Sequence, residues 1–171
     1  MRTVLYIAAS IDGRIADATG GVAWLDPYFS DELGFHEFFA NVGTVIMGRT
    51  TYDQVHGFGE WPYAGKRSIV LTSRPMPETE HGIESYNGRL VELVPKIKAE
   101  TPGDIWIVGG AQVGRSFLEA DLLDELEIYI IPVILGQGTT LFGAGTLRRA
   151  LTLIEAKRFE NGVIKSLYHV K

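Results

Sequence analysis

Two consecutive glycines, Gly109 and Gly110, stand between the apolar run Ile105–Val108 and a segment with helical spacing. Glycine has no Cβ, so the backbone at this turn can approach a ligand closely. A helix that begins directly after the turn leaves backbone N–H groups free to bind an anion such as a phosphate. A plain strand-to-helix turn would also use glycine here. The segment is therefore a phosphate-binding loop or a structural turn, and it matches neither the Walker loop nor the G-x-G-x-x-G pattern.

Two further loops contain the same residue types. Gly48-Arg49-Thr50-Thr51 follows an apolar run and begins a short helical pattern, and Thr72-Ser73-Arg74 follows the next apolar run. Arginines and hydroxyl groups at neighbouring strand ends can hold a phosphate through charge-assisted hydrogen bonds. Each loop taken singly is equally typical of a capped helix or a solvated surface arginine. The three loops together favour a ligand with two separated phosphate groups, for which a dinucleotide is the obvious candidate.

Three candidate carboxylates lie close to the start of a predicted helix. Asp26, Asp31 and Glu32 precede or begin a predicted helix whose aromatic residues recur at helical spacing. One interpretation is a polar loop and a charged first helical turn. The other is a carboxylate at the mouth of a cleft, which would bind a protonated heterocycle or amine or relay a proton.

The composition excludes several other chemistries. The chain has no cysteine, which rules out disulfides, iron–sulfur clusters and thiol catalysis. Lys plus Arg number 16 against 21 Asp plus Glu, and this net charge of −5 argues against a nucleic-acid partner. Gly136-Gln137-Gly138 lacks a third glycine and is predicted to be a turn. No metal site is expected, because the four histidines show no ligand-like spacing: His36, His56, His81 and His169.

Short apolar runs alternate with helical patterns along the chain, which predicts a mostly parallel sheet with helices on both faces. Asn161-Gly162 between two apolar runs predicts an antiparallel hairpin at the C-terminus. Ligands bind such sheets beyond the carboxyl ends of the strands, where all three loops should meet. The predicted strands are Thr3–Ala9, Thr44–Met47, Arg67–Thr72, Ile105–Val108, Leu126–Leu135, Leu151–Phe159 and Val163–Val170. The predicted helices are Ser30–Val42, one from Thr50 or Thr51 to Val55, one that starts near Val94 or is kinked by Pro95, and Val113–Ala120.

The length of 171 residues predicts one domain over residues 1–171. The longest apolar run, Ile128–Leu135, is far shorter than the roughly 20 residues of a membrane span. The apolar run Val4–Ala9 is also too short for the core of a signal peptide. We therefore expect a soluble cytoplasmic protein without a membrane partner.

The order of several motifs resembles two related families. Val45–Tyr52, Ile69–Pro75 and Ile105–Val113 are similar, in this order, to the cofactor segments of dihydrofolate reductases. Ala8–Ala16 and Leu123–Gly136 resemble the reductase domain of the bifunctional riboflavin-biosynthesis deaminase–reductase. The resemblance covers nearly the whole chain. It implies a dihydrofolate-reductase-like α/β fold and an NADPH-dependent reductase.

The resemblance also implies roles for individual residues. Gly48–Thr51 and Gly109–Val113 would line the pyrophosphate, Arg49, Ser73 and Arg74 would meet the adenosine 2′-phosphate, and Ala9 and Ile15 would flank the nicotinamide. The implied cofactor contacts are Ala9, Ile15, Gly48, Arg49, Thr50, Thr51, Leu71, Thr72, Ser73, Arg74, Val108, Gly109, Gly110, Ala111, Gln112 and Val113.

The substrate side is expected to hold a catalytic carboxylate. Glu32, or alternatively Asp31, matches the substrate carboxylate of dihydrofolate reductases. Tyr6 and Val108 stand where the riboflavin reductases usually have a lysine and a glutamate, which serve their phosphoribosyl substrate. The residues expected to bind substrate are Tyr6, Ala8, Trp24 and Phe35.

The function expected first is that of a 5-amino-6-(5-phosphoribosylamino)uracil reductase. Dihydrofolate reduction is the alternative enzyme activity, and a nucleotide-binding module without catalysis is the alternative from another class. A homodimer is also expected, because the apolar C-terminal strands need covering.

Overall fold

The computed structural model describes residues 1–76, 82–145 and 147–171, and a central β-sheet organises them. The strands are β1 (Thr3–Ser10), β2 (Arg14–Ala16), β3 (Val42–Gly48), β4 (Arg67–Leu71), β5 (Glu84–Tyr86), β6 (Asp104–Gly109), β7 (Glu125–Ile131), β8 (Thr139–Thr140), β9 (Leu151–Arg158) and β10 (Ile164–Val170). The helices are α1 (Phe35–Asn41), α2 (Arg49–His56), α3 (Leu90–Glu100) and α4 (Ala111–Glu119), with 3-10 turns at Ala23–Tyr28 and Asp31–Leu33.

The main sheet has eight strands in the order β5-β4-β3-β6-β1-β7-β10-β9. The strands from β5 to β7 pair in parallel, and β10 pairs antiparallel with both β7 and β9. The predicted mostly parallel sheet and its antiparallel C-terminal hairpin are therefore confirmed. The short strands β2, β5 and β8 were not predicted, because two or three residues carry no readable alternation.

Helices cover both faces of the sheet, and the strand residues alternate between two cores. In β3, Ile46 packs with residues of α3 and α4, whereas Val45 and Met47 pack with residues of α1 and α2. All three side chains are fully buried. Burial on both faces explains why these strands are near-continuous apolar runs.

The single helix predicted over Ser30–Val42 is wrong. The chain forms a 3-10 turn at Asp31–Leu33, passes through Gly34 at φ +79°, and only then begins α1. A left-handed residue cannot continue a right-handed helix, so Gly34 separates the two turns. Val42 already belongs to β3. This break decides which side chains of the segment reach the functional site.

Pro95 and Pro132 differ in whether they end the element in which they were predicted to lie. The predicted helix start near Val94 is wrong, because α3 begins at Leu90 and continues through Pro95. Pro95 lies on the exposed face, and the carbonyl that its missing N–H leaves unpaired belongs to Val91, which is also exposed. By contrast, Pro132 directly follows the last residue of β7, so the strand predicted to reach Leu135 ends at Ile131.

The edge strand β9 exposes apolar side chains. Leu151, Leu153 and Ile154 are at least 40% exposed, as is Ile164 on the adjacent β10. An edge strand of this kind is open to pairing or covering by another chain. The homodimer stays a prediction, and light scattering on the purified protein would check it.

Candidate functional site

A cavity of about 900 Å³ runs along the carboxyl halves of the parallel strands. Its size lies at the upper end of the roughly 300–1,000 Å³ range of small-molecule sites. One part, the glycine end, is lined by residues 48–51, 71–74 and 108–113. The other part, the aromatic end, is lined by Tyr6, Leu25, Tyr28, Phe29, Leu33, Phe35, Trp106, Tyr129 and Ile131.

Two helices begin at the glycine end. The residue before α2 is Gly48 and the residue before α4 is Gly110, and neither helix has a side-chain cap at its N-terminus. The free N–H groups of both first turns therefore remain available to an anion. Gly110 has φ +92°, a conformation that side-chain-bearing residues rarely adopt. A Cβ on Gly48 would lie 3.2 Å from Val113 Cγ2, so a side chain there would push the two closely packed loops apart by a few tenths of an ångström.

Arg49 fixes the loop after β4 beside α2. Its Nε donates to Asp53 Oδ1 at 2.7 Å, and one terminal nitrogen donates to the carbonyl of Pro75 at 3.1 Å. The backbone N–H of Arg74 donates to Thr72 Oγ1 at 3.0 Å, which shapes the turn between these residues. These contacts hold the two arginines at neighbouring strand ends, as an anion site requires.

The aromatic end is a packed set of rings. Tyr6 stacks on Phe38 with ring centroids 4.2 Å apart, and Phe35 meets Tyr6 and Trp106 edge-on at 6.0 and 5.7 Å. The indole N–H of Trp106 donates to the carbonyl of Tyr6 at 3.1 Å. Interlocked rings of this kind form a rigid apolar wall for a flat ligand.

Tyr129 carries the most constrained polar group of the aromatic end. Its hydroxyl lies 2.7 Å from the carbonyl of Leu33 and 2.8 Å from Glu127 Oε1, and Lys165 Nζ is 3.1 Å from the same Glu127 oxygen. Burial, the neighbouring Tyr6 and the Glu127 carboxylate raise the pKa of Tyr129. Burial is also the main reason that the pKa of Tyr6 is raised to about 12. Both phenols therefore stay protonated and uncharged at neutral pH.

The structure brings the residues expected at the cofactor together, with one exception. Ile15, Gly48, Arg49, Thr50, Thr51, Leu71, Thr72, Ser73, Arg74, Val108, Gly109, Gly110, Ala111, Gln112 and Val113 all line the one cavity. Ala9 is not among its lining residues and is 1% exposed. Successive strand residues point to opposite faces, so Ala8 faces the cavity while the Ala9 side chain points into the sheet's other face.

The residues expected at the substrate divide in a similar way. Tyr6, Ala8 and Phe35 line the cavity. Trp24 does not; it packs against the cluster around Tyr129 and Phe159. The 3-10 turn at Ala23–Tyr28 instead directs Leu25 and Tyr28 to the cavity.

The expected carboxylate does not reach the cavity. Asp31 and Glu32 are both exposed, and the side chain of Asp31 is 90% exposed and lies 3.3 Å from His36 Nε2. Leu33 is the residue of this 3-10 turn that lines the cavity. The predicted position was wrong because it assumed one continuous helix, whereas Gly34 breaks it. Within the described part of the chain, no aspartate or glutamate lines the cavity.

Sequence reasoning missed most of the aromatic end. Leu33, Trp106, Tyr129 and Ile131 are single positions in segments that look like ordinary core, and only the strand register brings them together. The place of Tyr129 at the cavity follows from the pairing of β1 with β7, which puts Ala8 opposite Tyr129 and Tyr6 opposite Glu127. Register of this kind cannot be read from one sequence.

Asp12 fixes the wall of the cavity that contains Ile15. Its carboxylate accepts from Ser10 Oγ at 2.7 Å and from the backbone N–H groups of Leu135 and Gly136 at 3.0 and 2.8 Å. These hydrogen bonds lower the pKa of Asp12 to about 2.

The segment that Asp12 holds is the predicted turn. Gly136 has φ +73° and Gly138 has φ +117°, and a Cβ on Gly138 would collide with the carbonyl of Ala16. The Gly136-x-Gly138 segment is therefore a turn, as predicted. Elsewhere, the described residues contain no group of three His, Asp or Glu side chains that could hold a metal ion, and His81 lies outside them.

This arrangement has known relatives. A family model described as the RibD C-terminal domain matches residues 3–165. The chain belongs to the RibD C-terminal domain family. It is 36% identical to the uncharacterised protein YwjB of Bacillus subtilis, over 99% of this chain and 98% of that protein.

Solved structures of other proteins share the fold. A candidate riboflavin biosynthesis protein from Shewanella sp. PV-4 superposes with a TM-score of 0.88 at 31% identity, covering 100% of this chain and 99% of that one. Dihydrofolate reductase from Enterococcus faecalis, complexed with NADP(H), gives a TM-score of 0.67 at 21% identity, covering 99% and 96%. The dihydrofolate-reductase-like fold is therefore confirmed. No described helix is long and apolar enough to cross a membrane.

Proposed function

We propose that this member of the RibD C-terminal domain family is an NADPH-dependent reductase of a heterocyclic substrate. The observation that carries the proposal is the continuity of one cavity from the glycine end to the aromatic end. A dinucleotide needs an anion site and a flat apolar site at a fixed separation, and the cavity supplies both. The bound NADP(H) of the related-fold dihydrofolate reductase supports the same assignment.

The residues of the glycine end fit the cofactor. The uncapped N-termini of α2 and α4 would bind the pyrophosphate, and the backbone of Gly109, which lines the cavity, would approach that group closely. Arg49, Ser73 and Arg74 would bind the 2′-phosphate that distinguishes NADPH from NADH. NADPH supplies a hydride when bound, and the chain contributes position and electrostatics.

The residues of the aromatic end would position the substrate ring. Tyr6, Phe35 and Trp106 exclude water and hold a planar ring against the sheet. The ring heteroatom would take its proton from solvent as the ring carbon is reduced. The oxygen of the Tyr129 hydroxyl, whose own proton goes to Leu33 or Glu127, would accept a hydrogen bond from the N–H so formed. Dry surroundings strengthen such a hydrogen bond.

The family relationship suggests a pyrimidine of the riboflavin-pathway type first. Dihydrofolate reduction is less favoured, because no carboxylate among the described residues lines the cavity to bind a protonated pterin. A nucleotide-binding module without catalysis would bind NADPH but would not oxidise it, whichever substrate is added.

The test is a titration followed by an activity screen. We expect NADPH to bind more tightly than NADH in isothermal titration calorimetry. We then expect the protein to oxidise NADPH, measured as a loss of NADPH absorbance, when at least one compound from a panel of pyrimidines, pteridines and quinones is added. Absence of NADPH binding would refute the proposal, and binding without any oxidation across the panel would favour the non-catalytic module.

A further inference from the structure

The charges of the cavity are distributed unevenly. Among the described residues that line it there is no Asp, Glu, Lys or His, and the two cations are Arg49 and Arg74. The six residues outside the described ranges include no lysine or arginine either. Every fixed charge that faces the cavity within the described residues therefore lies at the glycine end.

The two arginines are too far away to serve the aromatic end. They follow β3 and β4, whereas Tyr6 and Tyr129 lie on β1 and β7. The strand order puts β3 two strands from β1 and three strands from β7, and β4 one strand further from each. At about 4.8 Å per strand spacing, β3 and β7 are about 14 Å apart.

The charged groups behind the aromatic end compensate one another. Lys165 Nζ lies 3.1 Å from Glu127 and 3.6 Å from Glu155. Neither Lys165 nor Glu127 lines the cavity, and the Tyr129 hydroxyl stands between Glu127 and the ligand space. The lysine is therefore committed to its carboxylates and does not offer a charge to a substrate phosphate.

The polar groups that remain at the aromatic end are uncharged. Tyr6 and Tyr129 lie with ring centroids 4.9 Å apart, and both hydroxyls stay protonated at neutral pH. The Trp106 N–H is already bonded to the backbone of Tyr6. The Tyr129 hydroxyl gives its one proton to the carbonyl of Leu33 or to Glu127, so its oxygen can accept a hydrogen bond from a ring N–H. A buried phosphate without a cation, by contrast, costs a large free energy.

We propose that the aromatic end takes a planar, uncharged ring that carries no phosphate, and that Tyr6 and Tyr129 recognise its polar edge. This inference rests on the proposed function, because it assigns both arginines to the cofactor. It separates this chain from a reductase of phosphoribosyl compounds, whose substrate would need a cation at the aromatic end. The substrate class is that of free heterocycles.

The test uses two flavins that differ by one phosphate. Riboflavin is uncharged and flavin mononucleotide carries the phosphate, and stacking against aromatic side chains quenches the fluorescence of both. With NADP⁺ saturating the glycine end, we expect riboflavin to bind at least about tenfold more tightly than flavin mononucleotide. Equal or tighter binding of flavin mononucleotide would overturn the proposal.

Two variants separate riboflavin binding at the aromatic end from cofactor binding at the glycine end. Tyr129→Phe should weaken riboflavin binding about three- to tenfold, the value of one neutral hydrogen bond, with NADP⁺ affinity unchanged. Tyr168→Phe removes a hydroxyl from a tyrosine outside the cavity and should change neither affinity. Unchanged riboflavin affinity in Tyr129→Phe would overturn the recognition role.

The outcomes for the two proposals are separable. If NADP⁺ fails to bind, the proposed reductase function fails. The riboflavin titration of the wild type and Tyr129→Phe without NADP⁺ then still decides what the aromatic end recognises.

Discussion

The glycine end and the aromatic end of the cavity are built in opposite ways. At the glycine end, backbone N–H groups and a few contiguous residues, such as Gly48–Thr51 and Val108–Val113, make the surface. At the aromatic end, single side chains from separate segments make it, among them Tyr6, Leu33 and Tyr129. A backbone-made site changes little when side chains vary, whereas a side-chain-made site changes with each substitution. Under the proposed function, members of one fold can therefore keep the cofactor site while the substrate site varies between them.

The largest effect that would sharpen this comparison is expected at Gly110. Gly110→Val places a β-branched residue at φ +92°, which strains the backbone, and its Cβ would stand 3.5–3.6 Å from Val113 and Thr51. We expect NADPH affinity to fall by more than about 100-fold and the melting temperature to drop, because the turn must move. Calorimetric titration and thermal unfolding measure the two effects.

Gly109→Ala is the matched control for strain. A Cβ on Gly109 meets nothing closer than Thr51 at 3.9 Å, and the backbone there is not left-handed. We expect this variant to keep its melting temperature and to lose at least about tenfold in NADPH affinity, because the methyl group enters the cofactor space. Full affinity in the folded variant would show that the double glycine is a turn alone and would remove the difference between the two ends.

The next effect concerns the charge of the glycine end. Arg74→Ala should remove most of the preference for NADPH over NADH, which we expect to be about 10- to 100-fold in the wild type, the value of one charged hydrogen bond. Arg148→Ala, an exposed arginine outside the cavity, should leave the preference unchanged. A preference that survives in Arg74→Ala would place the 2′-phosphate elsewhere.

The two ends were also unequally predictable from sequence. The sequence predicted that the three loops of the glycine end lie together. Glycines and hydroxyl residues that follow a strand, as in Gly109-Gly110, indicate a turn from the contiguous sequence alone. Tyr129 was not predicted, because its place in the cavity depends on the register between β1 and β7. Glu32 was misplaced because Gly34, one glycine in an aromatic helical pattern, ends the turn. Local rules placed the loops on the cavity where the backbone makes its wall, and tertiary packing decided the rest.

A smaller effect is expected at Asp12, which fixes the cavity wall that contains Ile15. The pKa of about 2 lies below the roughly 3.9 of an unfolded aspartate, so the ionised form stabilises the folded state. This contribution is complete above about pH 4 and is lost as the pH falls towards 2. Asp12→Asn should lower the melting temperature by a few degrees at neutral pH and flatten its dependence between pH 4 and 2. An unchanged acid profile would show that these hydrogen bonds do not hold the wall.

The smallest effect is expected at Glu32 and Asp31. Both carboxylates are exposed and neither lines the cavity, so Glu32→Gln and Asp31→Asn should keep turnover and NADPH affinity within about twofold of the wild type. General acid–base catalysis typically contributes about 10²–10⁴-fold, so the two possibilities are far apart in a steady-state assay. Tyr129→Phe, measured on the same substrate, is the comparison. A loss of tenfold or more in Glu32→Gln with Tyr129→Phe unaffected would mean that the Asp31–Leu33 turn rearranges when substrate binds. The aromatic end would then bind its ligand through the Glu32 carboxylate, as the resemblance to dihydrofolate reductases implies. The proposed contrast between a charged glycine end and an uncharged aromatic end would be wrong.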